Sequence, residues 1–233
     1  MRVPYVTIAT IQQHTQEALW LYQRARKTKN VFPLEPEDLF ERLFGLPTIY
    51  DDRGLVNEAY GKGIVGCLFP DGQPSPWGRD KLIVVNQTRT CDFDPTKRSA
   101  EFTVLHEGMG HYILHHLKGI TGERLQRAVF CRDIGPTRRR KPSLEWQADR
   151  AAAELMMPVD RVTWLLDGKQ PPEMINLDLY ERHMMEYFGA NASIVKVRLK
   201  ELGYKLFSTR PEWVDWRQDS HGGSRRVEGG APP

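Results

Sequence analysis

The sequence has 233 residues, 40% hydrophobic and 27% charged, a balance typical of a globular protein with one substantial core. Its formal net charge of +3 is too small and too dispersed to predict a nucleic-acid-binding surface, and its apolar runs fall far short of the roughly 20 residues that span a membrane. No charged-then-apolar leader opens the sequence, and the three cysteines form no CxxC pair. We therefore expect a cytoplasmic protein with neither a disulfide framework nor a thiolate zinc finger.

The first half of the chain predicts two helices followed by two strands. Apolar residues recur at near-helical spacing from Thr10 to Lys29, and a second helix is expected from Glu35 to Phe44, ending at Gly45. Two apolar runs follow, Gly63 to Phe69 and Lys81 to Gln87, on either side of a stretch rich in proline and glycine. These runs are expected to be neighbouring strands of an antiparallel sheet.

Two longer helices are predicted in the middle of the chain. One runs from about Thr96 to Leu117 and carries most of the histidines, and the next opens at Pro142-Ser143 and continues to about Met157, where Pro158 interrupts it. The order helix, sheet, helix, helix indicates an α+β fold. A basic block between these helices, Arg138 to Lys141, is expected to be a solvated loop, with a site for an acidic or nucleic-acid partner as the alternative.

A small helical unit is predicted near the end of the chain. Helices are expected from Asp178 to Phe188 and from Ala192 to Leu202, with Asn191 as an N-cap and Gly203 as a stop, an arrangement similar to a helix-turn-helix. The chain becomes polar and glycine-rich beyond Pro211, which predicts a disordered tail. The expected boundaries are 1–168 for the main domain, 172–210 for the helical unit and 211–233 for the tail.

Four of the seven histidines lie within eleven residues. A zinc-binding helix of the HExxH type uses two imidazoles one turn apart, with the glutamate beside the first as general base on a metal-bound water. The spelling here is HExxxH, from His106 through Glu107 to His111. Five residues leave two side chains about 140° apart around a regular α-helix, whereas four leave about 40°. A one-residue π-bulge would restore the register, and Gly108 and Gly110 favour such a distortion.

A third protein ligand is predicted on the next helix. Glu145 and Asp149 are four residues apart and share a face with Ala152, a small residue that allows close packing against the histidine helix. One carboxylate, for which Glu145 is the best candidate, would bind the metal, and Asp149 would accept the free N–H of a ligating histidine. Glu154 lies on another face of this helix and is expected to be solvated.

Three stretches of the sequence form a recognisable pattern: Phe102-Thr103-Val104-Leu105-His106-Glu107, Gly110-His111-Tyr112-Ile113-Leu114-His115, and Glu145-Trp146-Gln147-Ala148-Asp149 through Leu155-Met156-Met157-Pro158. Together they resemble the ImmA/IrrE family of metallopeptidases, and with further matches on both sides the resemblance extends over roughly residues 10 to 205. The resemblance implies a zincin-like fold in which His106, His111 and Glu145 bind Zn²⁺ and Glu107 is the catalytic base. It also implies site-specific cleavage of a regulatory protein such as a helix-turn-helix repressor. The family pattern is HExGH, so the extra residue between Glu107 and His111 is a departure from it.

Other side chains have less specific predicted roles. Cleavage of a peptide bond also needs a donor that stabilises the oxyanion, and the candidates are Tyr112, His115 and His183. The cysteines, Cys67, Cys91 and Cys131, carry no signature of an activated thiol and are expected to be buried or inert.

Three alternatives remain open from the sequence. The pair His111 and His115 has regular four-residue spacing, but no glutamate follows its first member, which makes it the competing metal pair. A DNA-binding regulator would use residues 178–204 as its reader, although direct nucleic-acid binding is not favoured because the second helix offers only Lys196, Arg198 and Lys200 as cations. A zincin that has lost catalysis and only binds a partner is the third.

Overall fold

The computed structural model describes residues 6–88, 97–117, 129–132 and 143–209, with the backbone alone for 97–99 and 130–132. Helices and strands within these ranges form an α+β fold. The helices are α1 (Ile8–Arg26), α2 (Pro36–Phe44), α3 (Leu55–Tyr60), α4 (Lys97–Leu105), α5 (Leu144–Met156), α6 (Val159–Leu165), α7 (Leu177–Phe188) and α8 (Ala192–Leu202), and a π-helical segment, His106–Leu117, continues α4. The strands are β1 (Thr48–Asp51), β2 (Ile64–Phe69), β3 (Leu82–Asn86), β4 (Val129–Arg132), β5 (Met174–Asn176) and β6 (Lys205–Phe207). None of the described helices is long and apolar enough to cross a membrane.

Local signals in the sequence set the ends of the helices. Thr7 caps α1 by accepting a hydrogen bond from a first-turn amide at 3.1 Å, and the helix ends before Lys27, whose backbone is left-handed with a φ of 54°. The helix therefore starts two residues before the predicted Thr10 and ends three before the predicted Lys29. Gly45 ends α2 and Asn191 caps α8, as predicted.

Four strands form the main sheet, in the order β1-β3-β2-β4. Strands β2 and β3 pair antiparallel, with Gly66 opposite Val85, which confirms the predicted pairing. Strand β4 pairs antiparallel with β2 on its other side, and β1 pairs in parallel with β3. The sequence does not predict β1, because four residues are too few to show a clear period.

The main sheet separates two apolar clusters. Ile83 and Val85 of β3 belong to the larger cluster, which α1, α2, α5 and the π-helical segment also line. Leu82 and Val84 of the same strand belong to the smaller cluster, with Val56 of α3. The π-helical segment therefore packs on the face of the sheet that the long helices cover. This places the histidines beside the larger of the two apolar clusters among the described residues.

The C-terminal helices pack on the same core. Phe188 of α7 and Leu199 of α8 belong to the larger cluster, and β5 and β6 pair in parallel as a separate two-stranded sheet. The predicted boundaries at residues 168 and 172 stay predictions. The predicted tail, 211–233, and the basic block, 138–141, lie outside the described residues.

The expectation that Glu154 is solvated is wrong. Glu154 is only 1% exposed, and its carboxylate forms an ion pair with Nη2 of Arg198, a buried residue of α8. The Nε atom of Arg198 also donates a hydrogen bond to the carbonyl of Met157 at 3.0 Å. The physical reason is that α8 covers this face of α5, a long-range contact that the pattern of α5 alone does not reveal. The buried guanidinium of Arg198 is consequently not part of a DNA-reading surface.

Candidate metal centre

The histidines lie on a π-helical segment twelve residues long, His106–Leu117, rather than on an α-helix with a single bulge. In a π-helix each N–H bonds to the carbonyl five residues earlier, so residues five apart lie one above the other. His106 and His111 therefore share a face, and their Nε2 atoms are 3.1 Å apart. Both residues are buried, with exposed fractions of 2% and 0%. The distortion that the five-residue spacing requires is present, and it is longer than predicted.

Glu145 brings a carboxylate to the two imidazoles from α5. Ser143 caps the N-terminus of this helix by accepting a hydrogen bond from the Trp146 amide at 3.1 Å, which fixes the first turn on which Glu145 stands. Oε2 of Glu145 is 3.2 Å from Nε2 of His106, and Oε1 is 3.3 Å from Nε2 of His111. Burial opposes the ionised form of Glu145, but the hydrogen bonds and charges of the two imidazoles outweigh it and hold its pKa well below the usual range.

These three side chains have the spacing that a tetrahedral zinc ion requires. Ligand atoms bound at 2.0–2.1 Å in a tetrahedron lie roughly 3.3 Å from one another. The observed separations are 3.1, 3.2 and 3.3 Å, and the three ligand atoms all lie within 4.8 Å of one another. Burial lowers the pKa of His111, which favours the neutral ring that a metal needs. Two imidazoles and one carboxylate are a donor set that fits Zn²⁺.

Glycine allows the π-helical segment and α5 to approach closely. A Cβ added at Gly110 would overlap the Cβ and Cα of Ala148 on α5, and a Cβ added at Gly108 would overlap the ring of Phe40 on α2. The sequence predicts close packing through Ala152, which is fully buried, but the tight contact with the π-helical segment is made by Ala148. Gly110 consequently sets the distance between the histidines and the carboxylate of Glu145.

The other ring nitrogens of the two histidines meet different partners. Nδ1 of His106 is 3.0 Å from Oδ1 of Asp149, the arrangement expected of a carboxylate that orients a ligating imidazole. Nδ1 of His111 is instead 3.2 Å from Nδ1 of His115, a fully buried residue. Burial lowers the pKa of His115 to about 3, so this ring is neutral. Gln147 of α5 lies beside His115 and contributes to its pKa.

Glu107 lies in an apolar environment next to β2. The residue is fully buried, and neither carboxylate oxygen has a hydrogen-bond partner within the part of the chain that the structure describes. Burial raises the pKa of Glu107 to about 8, with a lowering contribution from His106 and a raising one from Glu145. The position opposite is Gly66, where an added Cβ would overlap Thr103 and come within 3.2 Å of Oε1 of Glu107. A glycine at this point of the strand therefore makes room for the carboxylate.

The remaining predicted residues lie around this centre or away from it. Tyr112 donates a hydrogen bond to Asp71 at 3.4 Å, and Nε2 of His116 is 3.1 Å from the same carboxylate. His183 is exposed on α7. Of the three candidate oxyanion donors, His115 contacts a residue of the metal cluster among the described contacts. Cys67 is buried as predicted, and burial raises the pKa of its thiol, whereas Cys91 and the side chain of Cys131 lie outside the described residues.

Sequence reasoning missed the parts played by Gly66, Asp71 and Gln147. For Gly66 a signal exists, since a glycine inside a strand often marks the close approach of another group. For Asp71 and Gln147 no comparable signal exists, because each acts through a contact with a residue more than thirty positions away. The described side chains form one candidate cation site, beside the buried carboxylate of Glu107.

No family model matches the sequence, and no match is found among curated proteins.

Proposed function

We propose that the protein is a zinc-dependent metallopeptidase with a zincin-like catalytic domain. His106, His111 and Glu145 would hold Zn²⁺, and Glu107 would act as general base. The observation that carries this proposal is the set of donor distances, 3.1 to 3.3 Å, which fits a tetrahedral ion with one coordination position left for water or substrate. A buried carboxylate one residue from the first ligand supplies the acid–base group that hydrolysis needs.

The residues of the chain divide the work of hydrolysis. When bound, Zn²⁺ would polarise the scissile carbonyl and lower the pKa of a water molecule. Glu107 would take the proton of that water and pass it to the leaving amine. Its raised pKa, about 8, suits this second step, because a carboxyl that holds a proton near neutral pH is an effective acid. A nearby cation would favour the ionised form that the first step needs.

The substrate we propose is a specific regulatory protein, such as a helix-turn-helix repressor. This part rests on the resemblance to the ImmA/IrrE metallopeptidases, which extends into the predicted helix-turn-helix-like unit of α7 and α8. A cytoplasmic location is proposed with it, because the three cysteines form no CxxC pair. Direct nucleic-acid binding is not part of the proposal, since Arg198 is buried and Lys196 pairs with Glu181 at 3.1 Å.

Zinc content and proteolysis test the proposal separately. Purified protein should hold one zinc ion per chain by elemental analysis, and His106→Ala, His111→Ala and Glu145→Ala should each lose most of it. Glu107→Gln should keep the zinc and lose cleavage of a candidate repressor. The matched control is His183→Ala, an exposed histidine whose loss should change neither quantity. Full zinc content in Glu145→Ala would remove the third ligand from the proposal.

A second candidate function is favoured by one observation, the complete burial of Glu107. A carboxylate that cannot reach water would leave a zincin that binds zinc and a partner but does not cleave. Zinc bound at one ion per chain, with no cleavage of any repressor offered and no difference between wild type and Glu107→Gln, would support this second function.

A further inference from the structure

The two histidines of the cluster differ in what holds their second ring nitrogen. His106 presents Nδ1 to the carboxylate of Asp149 at 3.0 Å, and a carboxylate ion only accepts hydrogen bonds. His111 presents Nδ1 to another imidazole, that of His115, at 3.2 Å. An imidazole can either donate or accept at a given nitrogen. The tautomer of His111 therefore depends on the tautomer of its neighbour.

Metal binding allows one of the two possible arrangements. Nε2 of His111 faces Glu145 and His106, so this nitrogen must offer its lone pair to a cation. The proton of a neutral His111 then lies on Nδ1, and it must be donated to a lone pair on Nδ1 of His115. The opposite arrangement, with His115 donating, would put the proton of His111 on Nε2 and block the ligand position.

The surroundings of His115 suit the accepting role. The residue is fully buried, and so is Gln147, which lies beside it on α5. A proton held on Nε2 of His115 leaves its Nδ1 free to accept. Nε2 itself is a buried atom without a hydrogen-bond partner among the described contacts. His115 is thus held between the metal cluster and the helix that supplies the carboxylate ligand.

We propose that His115 is a positioning residue, which accepts the Nδ1 proton of His111 and so keeps the Nε2 lone pair of His111 directed at Zn²⁺. The inference rests on the proposed function, because it assumes zinc at the cluster of His106, His111 and Glu145. It goes beyond that function by assigning a role to a buried histidine outside the three proposed ligands.

A competing assignment follows from the same distance. Two imidazole nitrogens 3.2 Å apart could both bind a second cation, with His111 bridging two ions through its two nitrogens. Two zinc ions per chain would support that assignment and overturn ours. Among the described residues the cluster of potential ligands consists of His106, His111 and Glu145, without His115. One zinc ion per chain is therefore the result we expect.

Zinc affinity of the full chain, measured by competition with a chelator, tests the inference. His115→Phe keeps a ring of similar size and removes the acceptor, and we expect it to weaken zinc binding by about 10- to 100-fold. His115→Asn restores an acceptor oxygen and should recover a large part of the loss. The control is His116→Phe, which removes the adjacent buried imidazole, the one that contacts Asp71, and should change affinity less than about twofold.

A direct reading of the tautomers keeps the test decisive if His115→Phe does not fold. In the zinc-loaded wild type, nitrogen-15 NMR of the histidine rings should show the proton of His111 on Nδ1 and that of His115 on Nε2. A proton on Nδ1 of His115, or an unchanged affinity in His115→Phe, would overturn the inference and leave the proposed function intact. A wild-type chain that takes up no zinc would overturn both. Zinc binding with the expected tautomers but no proteolysis would overturn the catalytic proposal alone.

Discussion

Helix α5 carries charged residues on two faces, and their partners differ. Glu145 and Asp149 face the π-helical segment, where both contact imidazoles. Arg150 and Glu154 face α8, where Arg150 contacts Glu201 at 2.9 Å and Glu154 pairs with Arg198. On the second face each carboxylate meets a guanidinium, so the formal charges cancel. On the first face the two carboxylates meet the imidazoles of His106 and His111.

The difference distinguishes a face whose ion pairs are complete from a face on which we propose a metal site. A buried ion pair is tolerated when each ion is neutralised and its hydrogen bonds are made, as Arg198 achieves with Glu154 and the carbonyl of Met157. On the histidine face, Glu145 and Asp149 meet imidazoles and no guanidinium among the described contacts. Substitutions on the two faces of α5 should therefore change stability and zinc binding to different extents.

The largest effect is expected on the balanced face. Arg198→Leu leaves the carboxylate of Glu154 buried and unpaired, and should lower the free energy of unfolding by about 3–5 kcal/mol. Urea denaturation of the metal-free protein measures this. Arg182→Leu is the matched control, because that arginine is 90% exposed and pairs with Glu186 at the surface, where about 0.5 kcal/mol is typical. A loss below 1 kcal/mol in Arg198→Leu would show that the pair does not stabilise the fold.

A somewhat smaller effect, dependent on pH, is expected beside the histidine face. The pKa of Glu107 in the folded protein is about 8, above its usual value of 4.5. The folded state therefore keeps this proton between pH 4.5 and 8 while the unfolded state has lost it, so the stabilisation is complete below 4.5 and disappears as pH rises through 8. Glu107→Gln has no proton to lose.

The measurement is the free energy of unfolding of metal-free wild type and Glu107→Gln at pH 5 and pH 8. The variant should gain stability relative to wild type by roughly 3 kcal/mol over this interval, since one pKa unit corresponds to about 1.4 kcal/mol. A difference that does not change with pH would mean that Glu107 is ionised in the folded, metal-free protein. Added zinc should reduce the difference, because a cation favours the carboxylate.

The smallest effect on stability is expected where the π-helical segment and α5 touch. Gly110→Ala would place a methyl group against Ala148 and should cost about 1–3 kcal/mol while weakening zinc binding, since it moves Glu145 away from the histidines. Gly108→Ala meets the ring of Phe40 instead, so it should lower stability without a comparable loss of zinc affinity. Ala148→Gly should rescue Gly110→Ala. Equal zinc affinities in the two glycine variants would contradict the role given to Gly110.

Structural features that depend on residues close together in the sequence could be predicted from it. The N-cap at Asn191 and the C-cap at Gly203 follow from the chemistry of single side chains, and the antiparallel pairing of β2 and β3 follows from two apolar runs around a turn. The proximity of His106, His111 and Glu145 could be predicted because two histidines and a nearby glutamate on successive helices are a pattern typical of metal sites. The roles of these residues in binding and catalysis remain predictions.

Contacts between distant segments could not be predicted in the same way. Glu154 and Arg198 are 44 residues apart, and nothing in the pattern of α5 distinguishes a face covered by another helix from a solvated one. The extent of the π-helix has a similar origin. The glycines indicate that a distortion is possible, but its length of twelve residues depends on packing against α5 and β2.

The π-helical segment also changes how an insertion in a metal-binding helix should be understood. In an α-helix an added residue between two ligands rotates every later side chain away from its partner. In a π-helix the same residue is absorbed by the winding, and the ligands return to one face with the Nε2 atoms of His106 and His111 3.1 Å apart. Motif searches that require a four-residue spacing between the histidines would therefore miss such chains. A five-residue spacing with glycines between the histidines is the pattern that would find them.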